Sequence, residues 1–373
     1  MQGPRLRANI HLESNGTANG RFRTGVSLHS HTQHSREPLS FIYRVTGKLA
    51  PVRWAVAGFE RRYREAYGTN LDLNRAYWTP PLSAHDAWRL ESGEIEQRLG
   101  LASLVSLTDH DSIDAAMTLR VLDSFHHLPV SVEWTVPYRG TFFHLGIHNL
   151  PPERARAVMT EFERFTASPV ESELAGLLEA ATSNPAVLAV FNHPCWDENE
   201  IGHREHVALA HQFCLRYGAY LHAVELNGLR PWKENRETMA LSEAVGKPLI
   251  SGGDRHGLEP NATLNLTNAR TFAEFVEEMR EGASHVLFTT HYFEPLPVRM
   301  LRGVQDALAD HERGGRWCDR VFYISDDGEH LPVHRYWKRR PLTVRAFETG
   351  LFALRHPGLR MAFRAFARQE AIS

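Results

Sequence analysis

The chain has 373 residues, of which 42% are hydrophobic. This is enough for one barrel-sized core of about 250 residues with further additions. The formal charge of −2 gives no overall preference for nucleic acid or anionic lipid, and the three cysteines form neither a paired framework nor a CxxC metal motif. The composition therefore argues against a disulfide-stabilised secreted scaffold.

The amino-terminal residues 1–25 carry charged and polar side chains where a signal peptide would need an apolar core. No later apolar run is as long as a membrane span. We therefore expect a cytoplasmic protein without a transmembrane segment, and the sequence carries no indication of its oligomeric state.

Six strand-like segments carry potential metal ligands at or near their ends. In chain order these ligands are His29 and His31, His110, Glu133, His144, His193, and Asp254 with His256. Each motif alone is as typical of surface histidines or of a helix N-cap as of a metal site. Because barrel enzymes carry their chemistry where strands end, the joint occurrence of the motifs predicts a metal site on one face.

The residue types indicate more than one ion. Imidazole suits zinc, iron and manganese, and a carboxylate can bridge two cations. A single zinc ion would need only about four ligands, fewer than this sequence offers.

Between the first and second of these segments the chain has about 70 residues, whereas a strand-to-strand crossover needs only a dozen or so. We predict a helical insertion over residues 36–82, in which an amphipathic helix runs from Pro51 to Tyr67 and ends at Gly68. A second helix, from Ser83 to Leu99, returns to the barrel. The basic insertion is either a lid over a phosphorylated or nucleotide substrate or an outer helical layer with a solvated basic face.

The chain beyond residue 295 is expected to be a separate extension, 296–373, attached to a barrel domain over 1–295. Residues Arg320 to Ser325 and the segment from Leu331 onward predict a hairpin around an Asp-Gly turn. The tail after Trp337 is basic and amphipathic, with a break at Pro357. It is either a helix for a membrane surface or anionic partner, or one that packs on its own domain or across a dimer.

The motifs resemble those of the PHP family, the polymerase and histidinol phosphatase superfamily, over about Val26 to Thr290. The resemblance is carried by His29-Ser-His31, Leu107-Thr-Asp-His-Asp111, Glu133 with His144, Asn192-His-Pro194 and Gly252-Gly-Asp-Arg-His256. It implies an α/β fold, a distorted seven-stranded β/α barrel with two or three metal ions at the strand ends.

Carried over to this sequence, the resemblance gives each ion a ligand set. The first ion is expected on His29, His31, Glu133 and Asp254, the second on Glu133, His144 and His193, and the third on His110 and His256. In the family the third ion also takes a residue five or six positions after the second His of the opening motif, which here is Arg36 or Glu37. Since arginine does not bind a cation, either Glu37 or His34 completes the third site, or that site is weak.

The expected chemistry is hydrolysis of a phosphate ester, because paired cations lower the pKa of a bridging water towards about 7 and polarise phosphoryl oxygens. Asp109 is a candidate to orient a ligand or move a proton, with a helix N-cap as the alternative. Arg36 and Arg255 are candidates to bind the substrate phosphate, with structural salt bridges as the alternative.

The predicted function is a metal-dependent phosphomonoesterase acting on a small molecule or nucleotide, with manganese, iron or zinc. The alternatives are a nucleic-acid phosphodiesterase or exonuclease, a non-catalytic metal-binding module, and a metal-dependent amidohydrolase, which the Asp-x-His and His-Pro motifs fit less well. The substrate is left open, since the loops and the insertion determine what enters the site.

Overall fold

The computed structural model describes residues 9–13, 21–312, 315–336 and 341–367. The described strands are β1 Asn9–Leu12, β2 Thr24–Ser27, β3 Glu37–Pro38, β4 Ala76–Trp78, β5 Ala102–Val105, β6 Val130–Tyr138, β7 Thr141–Leu150, β8 Leu188–Asn192, β9 Ala223–Asn227, β10 Leu249–Gly252, β11 Thr263–Thr267, β12 His285–Phe288, β13 Val321–Ile324 and β14 His330–Pro332. The described helices are α1 Phe41–Lys48, α2 Ala50–Tyr67, α3 Ala84–Gly93, α4 Asp114–Leu119, α5 Pro152–Ala167, α6 Leu174–Thr182, α7 His203–Tyr217, α8 Trp232–Val245, α9 Phe272–Arg280, α10 Leu296–Ala307, α11 Leu342–Ala353 and α12 Pro357–Phe366. None of these helices combines the length and apolar character needed to cross a membrane.

The fold is mixed α/β and its main body contains two five-stranded sheets. Their strand orders are β1-β12-β11-β2-β5 and β10-β9-β8-β7-β6. Single bridges connect the sheets at two seams, Ser30 with Arg255 and His110 with Glu133. Because the described ladders stop at these seams, the closed seven-stranded barrel expected from the sequence is not confirmed.

The structure confirms the predicted helix α2 and the predicted start of α3. Helix α2 has Pro51 in its first turn and ends at Gly68, whose φ of 71° suits glycine. Helix α3 begins after Ser83, whose side chain accepts a hydrogen bond from the Asp86 amide. The chain then continues as a wider helical turn over Glu94–Arg98, so the regular helix is shorter than predicted.

The insertion and the extension, which the sequence predicted as separate additions, share a third sheet of strand order β14-β13-β4-β3. We call the unit formed by α1, α2, α11 and these four strands the cap. Its own hydrophobic core includes Tyr63 from the insertion and Trp317 and Tyr323 from the extension. The insertion and the extension are far apart in the chain, so no local sequence pattern could predict that their strands pair.

The carboxyl-terminal hairpin and the last helix begin where the sequence predicted a turn and a break. Strands β13 and β14 form the expected antiparallel hairpin, and α12 begins at Pro357. Helix α11 packs against α2, whereas α12 exposes Leu359 and Met361. The basic residues Lys338 to Arg340 and Arg368 lie outside the described residues.

Candidate metal centre

Four side-chain atoms from three separate segments converge where the first ion is expected. The Nε2 atoms of His29 and His31 lie 2.9 and 3.2 Å from Oε2 of Glu133. Oδ1 of Asp254 lies 3.6 and 3.5 Å from the same two nitrogens. Ligand bonds of 2.0–2.2 Å in a tetrahedral set separate the ligand atoms by about 3.4 Å, which is close to these four distances. Within 4.8 Å of one another, however, His29 and His31 group with Glu133, whereas Asp254 groups with His29 and His193.

Three of these atoms make no hydrogen bond of normal geometry among the described residues, although both nitrogens lie within ion-pair distance of the carboxylate oxygen. They are Nε2 of His29, Nε2 of His31 and Oε2 of Glu133, and all three are buried. Buried polar atoms without partners are rare and destabilising in folded proteins. A metal ion would satisfy all three at once, so the residues present fit the group that the sequence predicts.

Glu133 also faces the second group of predicted ligands. Its Oε1 lies 3.2 Å from Nε2 of His193 and 3.6 Å from Nδ1 of His144, and it accepts a hydrogen bond of 2.9 Å from Nδ2 of Asn192. The two oxygens of one carboxylate therefore face different histidines, as expected of a bridging ligand.

The closest groupings around this bridge differ in detail from the predicted sets. Ligand atoms within 4.8 Å of one another group His144 with Glu133 and His110, and His193 with His29 and Asp254. The predicted pairing of His144 with His193 thus stays a prediction.

Glu37 belongs to a third group of potential ligands, together with His110, His256 and His31. Its Oε2 lies 3.4 Å from Nε2 of His110 and 3.2 Å from Nε2 of His256. The Ser35 hydroxyl donates a hydrogen bond of 2.6 Å to the other carboxylate oxygen. His34, the alternative considered from the sequence, belongs to none of the candidate ligand groups in the described part of the chain.

The electrostatics of the cluster favour bound positive charge. Burial alone would lower the pKa of His31, but Asp254 and Glu133 raise that pKa to about 10. Burial would likewise raise the pKa of Glu133, yet the surrounding histidines, His29 first, hold it well below its usual range. Burial holds the pKa of His144 well below its usual range, which keeps that imidazole in the neutral form that binds metals.

Three of the predicted ligands have a left-handed backbone although none is glycine. The φ angles are 63° at His29, 26° at His193 and 58° at Asp254. Such conformations are strained and cluster at functional sites, where the surrounding structure holds them. Their positions at the turns after β2, β8 and β10 agree with the site predicted at these strand ends.

Glu225 supports the site and was missed from the sequence. It is buried in β9 and its Oε2 lies 2.7 Å from Nδ1 of His29. Nδ2 of Asn227 donates to the other Glu225 oxygen at 2.7 Å and to Oδ2 of Asp254 at 3.2 Å. A carboxylate behind a histidine fixes its ring and increases its basicity towards a metal. The available signal was an acid inside the apolar run Ala223–Asn227.

Arg255, a predicted substrate contact, makes buried contacts within the protein. Its Nε donates to Oε1 of Glu91 at 2.6 Å, and its Nη2 donates to the His31 carbonyl at 3.1 Å. Both members of this ion pair are buried. Arg255 therefore holds the loop that carries His31, which corresponds to the structural salt bridge considered from the sequence.

Asp109 is also engaged within the protein. Its Oδ2 accepts a hydrogen bond of 2.8 Å from the Thr32 hydroxyl, and burial raises its pKa. Helix α4 begins only at Asp114, so Asp109 is not its N-cap. The carboxylate instead holds the loop that follows His31.

Two other arginines lie nearer to solvent. Arg36 is exposed, with its guanidinium 5.7 Å from the centre of the Tyr77 ring. Arg230, which the sequence did not single out, donates from Nη2 to Oδ2 of Asp254 at 3.2 Å and stacks 3.8 Å over the Trp196 ring. A small cleft beside this ring is lined by Phe142, Phe143, His144, Asn192, His193, Trp196 and Glu198.

Comparison with known proteins gives distant likenesses only. No protein-family model and no curated protein matches the chain. Among solved structures, an amidohydrolase from Chromobacterium violaceum with bound sulfate and no metal is 14% identical, with a TM-score of 0.37 over 68% of this chain and 96% of that chain. A proposed metal-dependent phosphoesterase from Bifidobacterium adolescentis is 15% identical, with a TM-score of 0.32 over 55% of this chain and 91% of that chain. Because these likenesses are distant, the function has to be inferred from the residues of the site.

Proposed function

We propose that this protein is a metal-dependent phosphoesterase of the PHP type, which hydrolyses a phosphomonoester of a small molecule or nucleotide. The observation that carries the proposal is that buried side-chain atoms of His29, His31 and Glu133, which make no hydrogen bond of normal geometry, lie close enough together to bind one ion. Two ions share Glu133 in this proposal and Glu37 holds a third. The donor set of imidazoles and carboxylates suits manganese, iron or zinc.

The proposal includes a distorted seven-stranded barrel made of β2, β5, β6, β7, β8, β9 and β10. The bridges of Ser30 with Arg255 and of His110 with Glu133 support it, because they connect the two large sheets beside the ligands, just beyond the ends of β2 and β5. Carboxyl ends of parallel barrel strands carry the chemistry in this architecture.

When bound, the ions supply Lewis acidity to a phosphoryl oxygen and lower the pKa of water. Around them, Glu225 orients the His29 ring and Asn192 orients the Glu133 carboxylate. Arg230 is the cation best located to bind an anionic substrate, since it sits beside Asp254 and next to the cleft lined by Trp196. A guanidinium recognises phosphate oxygens in a fork geometry.

The test is phosphate release from a panel of phosphomonoesters, nucleotides and diesters by protein reconstituted with manganese, iron or zinc. Glu133→Ala should abolish release and metal retention. Glu179→Ala, which removes an exposed glutamate on α6, should leave both unchanged and serves as the matched control.

Release that depends on metal and on Glu133 would support the phosphomonoesterase. Release from diesters or nucleic-acid ends alone would replace it with a phosphodiesterase. No release of any kind from protein shown to contain its ions would favour a non-catalytic metal-binding module.

A further inference from the structure

The third ligand group differs from the others in where its carboxylate comes from. Glu37 lies in β3, a strand of the cap, whereas His110 and His256 follow β5 and β10 of the main sheets. Strand β3 has only two residues, Glu37 and Pro38. So short a strand has little stability of its own, and its position depends on what it pairs with.

Pairing leads from β3 to the carboxyl-terminal extension in two steps. Glu37 is paired with Trp78 in β4, and Trp78 is paired with Val321 in β13. The Thr79 amide donates a hydrogen bond of 2.8 Å to the Arg320 carbonyl, which extends this contact. Residues of the extension thus support the strand that carries Glu37.

The extension is itself anchored to the main body beside α10. The buried Arg320 guanidinium donates hydrogen bonds of 2.8 Å to the carbonyls of Ala307 and Ala309. On the inner side, the Trp78 ring lies 6.1 Å from the ring of His256. Strand β4, which pairs with β3, therefore contacts both the extension and the third ligand group.

We propose that the carboxyl-terminal extension is a functional part of the third metal site, because β13 positions β4 and β3 and thereby Glu37. The inference rests on the proposed metal-dependent function and extends it. It makes Tyr323 a positioning residue, since this buried side chain of β13 packs in the cap core and its ring lies 5.3 Å from that of Tyr63. The proposed ligands of the ions on Glu133 all lie outside the cap, so these ions should be affected less than the third.

The experiment counts bound ions and measures their affinities in the full-length protein loaded with cobalt or manganese. The variants are Tyr323→Ala in the cap, Glu37→Ala at the ligand, and Tyr217→Ala as a control. Tyr217 is an equally buried tyrosine, but it lies on α7 in the main core. Tyr323→Ala should weaken the third ion by about 10- to 100-fold, as loss of an outer support does in other metal sites.

The two ions around Glu133 provide an internal control for folding. Loss of one ion of three in Tyr323→Ala and in Glu37→Ala, with all three retained in Tyr217→Ala, would support the proposal. Unchanged affinity of the third ion in Tyr323→Ala would overturn it, and so would loss of every ion, since the cap would then support the whole fold. A wild-type protein with only two ions would remove the third site and this inference, while leaving the two-ion phosphoesterase intact.

Discussion

The proposed ligands of the first ion all come from the main sheets and the loops that follow their strands, whereas the proposed third site takes one ligand, Glu37, from the cap. Around the first ion, the side chains of His29, His31, Glu133 and Asp254 are 0–4% exposed. Around the third, those of Glu37, His110 and His256 are 10–19% exposed. Solvent competes more strongly for the second set, and the cap adds a ligand to it.

This difference divides the centre into two parts. We call the ligands of the first ion the rigid side, and the ligands of the third ion with the cap the adjustable side. The proposed ligands of the first ion come from strand β6 and from turns that follow strands of both large sheets, and two of them, His29 and Asp254, have a strained left-handed backbone that needs such support. The proposed third site depends instead on β3, a strand of two residues that is held in place by residues far away in the sequence. If Glu37 is a ligand, as proposed, a displacement of the cap would change the metal content of the site without disturbing its core.

The largest expected effect is on the rigid side, through the buried pair of Glu91 and Arg255. Glu91→Gln would leave the buried Arg255 charge without its partner and loosen the loop that holds His31. Breaking such a pair by removing one partner destabilises a protein by about 3–5 kcal/mol. We expect a decrease of this size in the free energy of unfolding, measured by denaturant titration of the metal-free protein.

The control is the double variant Glu91→Gln with Arg255→Met, which removes both charges. Replacing both members of a buried pair by uncharged groups is often close to neutral, so stability should recover in part. A single variant that unfolds at the wild-type midpoint would show that the pair does not hold the rigid side.

The rigid side is also the part that the sequence predicted best. His29, His31 and Asp254 follow short apolar runs. A change from apolar to polar residues is a local signal that a strand has ended. Glu91 and Glu225 were missed because each is an acid inside a helix or strand, without a turn to mark it. An acid in an otherwise apolar run is nevertheless a signal of a buried partner, since burying an unpaired charge is destabilising.

The cap was less predictable for a different reason. Its helix α2 and its hairpin were found from Pro51, Gly68 and the Asp-Gly turn, which are all local features. The pairing of β4 with β13 joins residues near 78 and 321, and no local pattern encodes so distant a contact. The sequence accordingly left Glu37, His34 or a weak third site as the possibilities, without revealing that Glu37 lies in the cap.

An intermediate effect is expected for Glu225, which supports the rigid side from behind His29. Glu225→Gln keeps the shape but removes the charge opposite Nδ1 of His29. Loss of such a partner weakens metal binding by about 10- to 100-fold, and we expect this for the first ion in competition with a chelator. Glu243→Gln, at an exposed position on α8, is the matched control. If the chelator removed metal equally readily from both variants, Glu225 would contribute packing alone and no support to the metal site.

The smallest effect is expected on the adjustable side, at Arg36 beside Glu37. Its guanidinium is exposed and lies over the Tyr77 ring, so Arg36→Ala should remove at most one solvated contact with a phosphorylated substrate. Exposed charge contacts contribute about 0.2–1 kcal/mol, which corresponds to a rise in KM of up to about fivefold with kcat and ion content unchanged. Arg53→Ala, an equal change of charge on the exposed face of α2, should leave KM unaltered. A large decrease in kcat for Arg36→Ala would place part of the chemistry in the cap, and the division between a reactive main body and a cap that adjusts it would then fail.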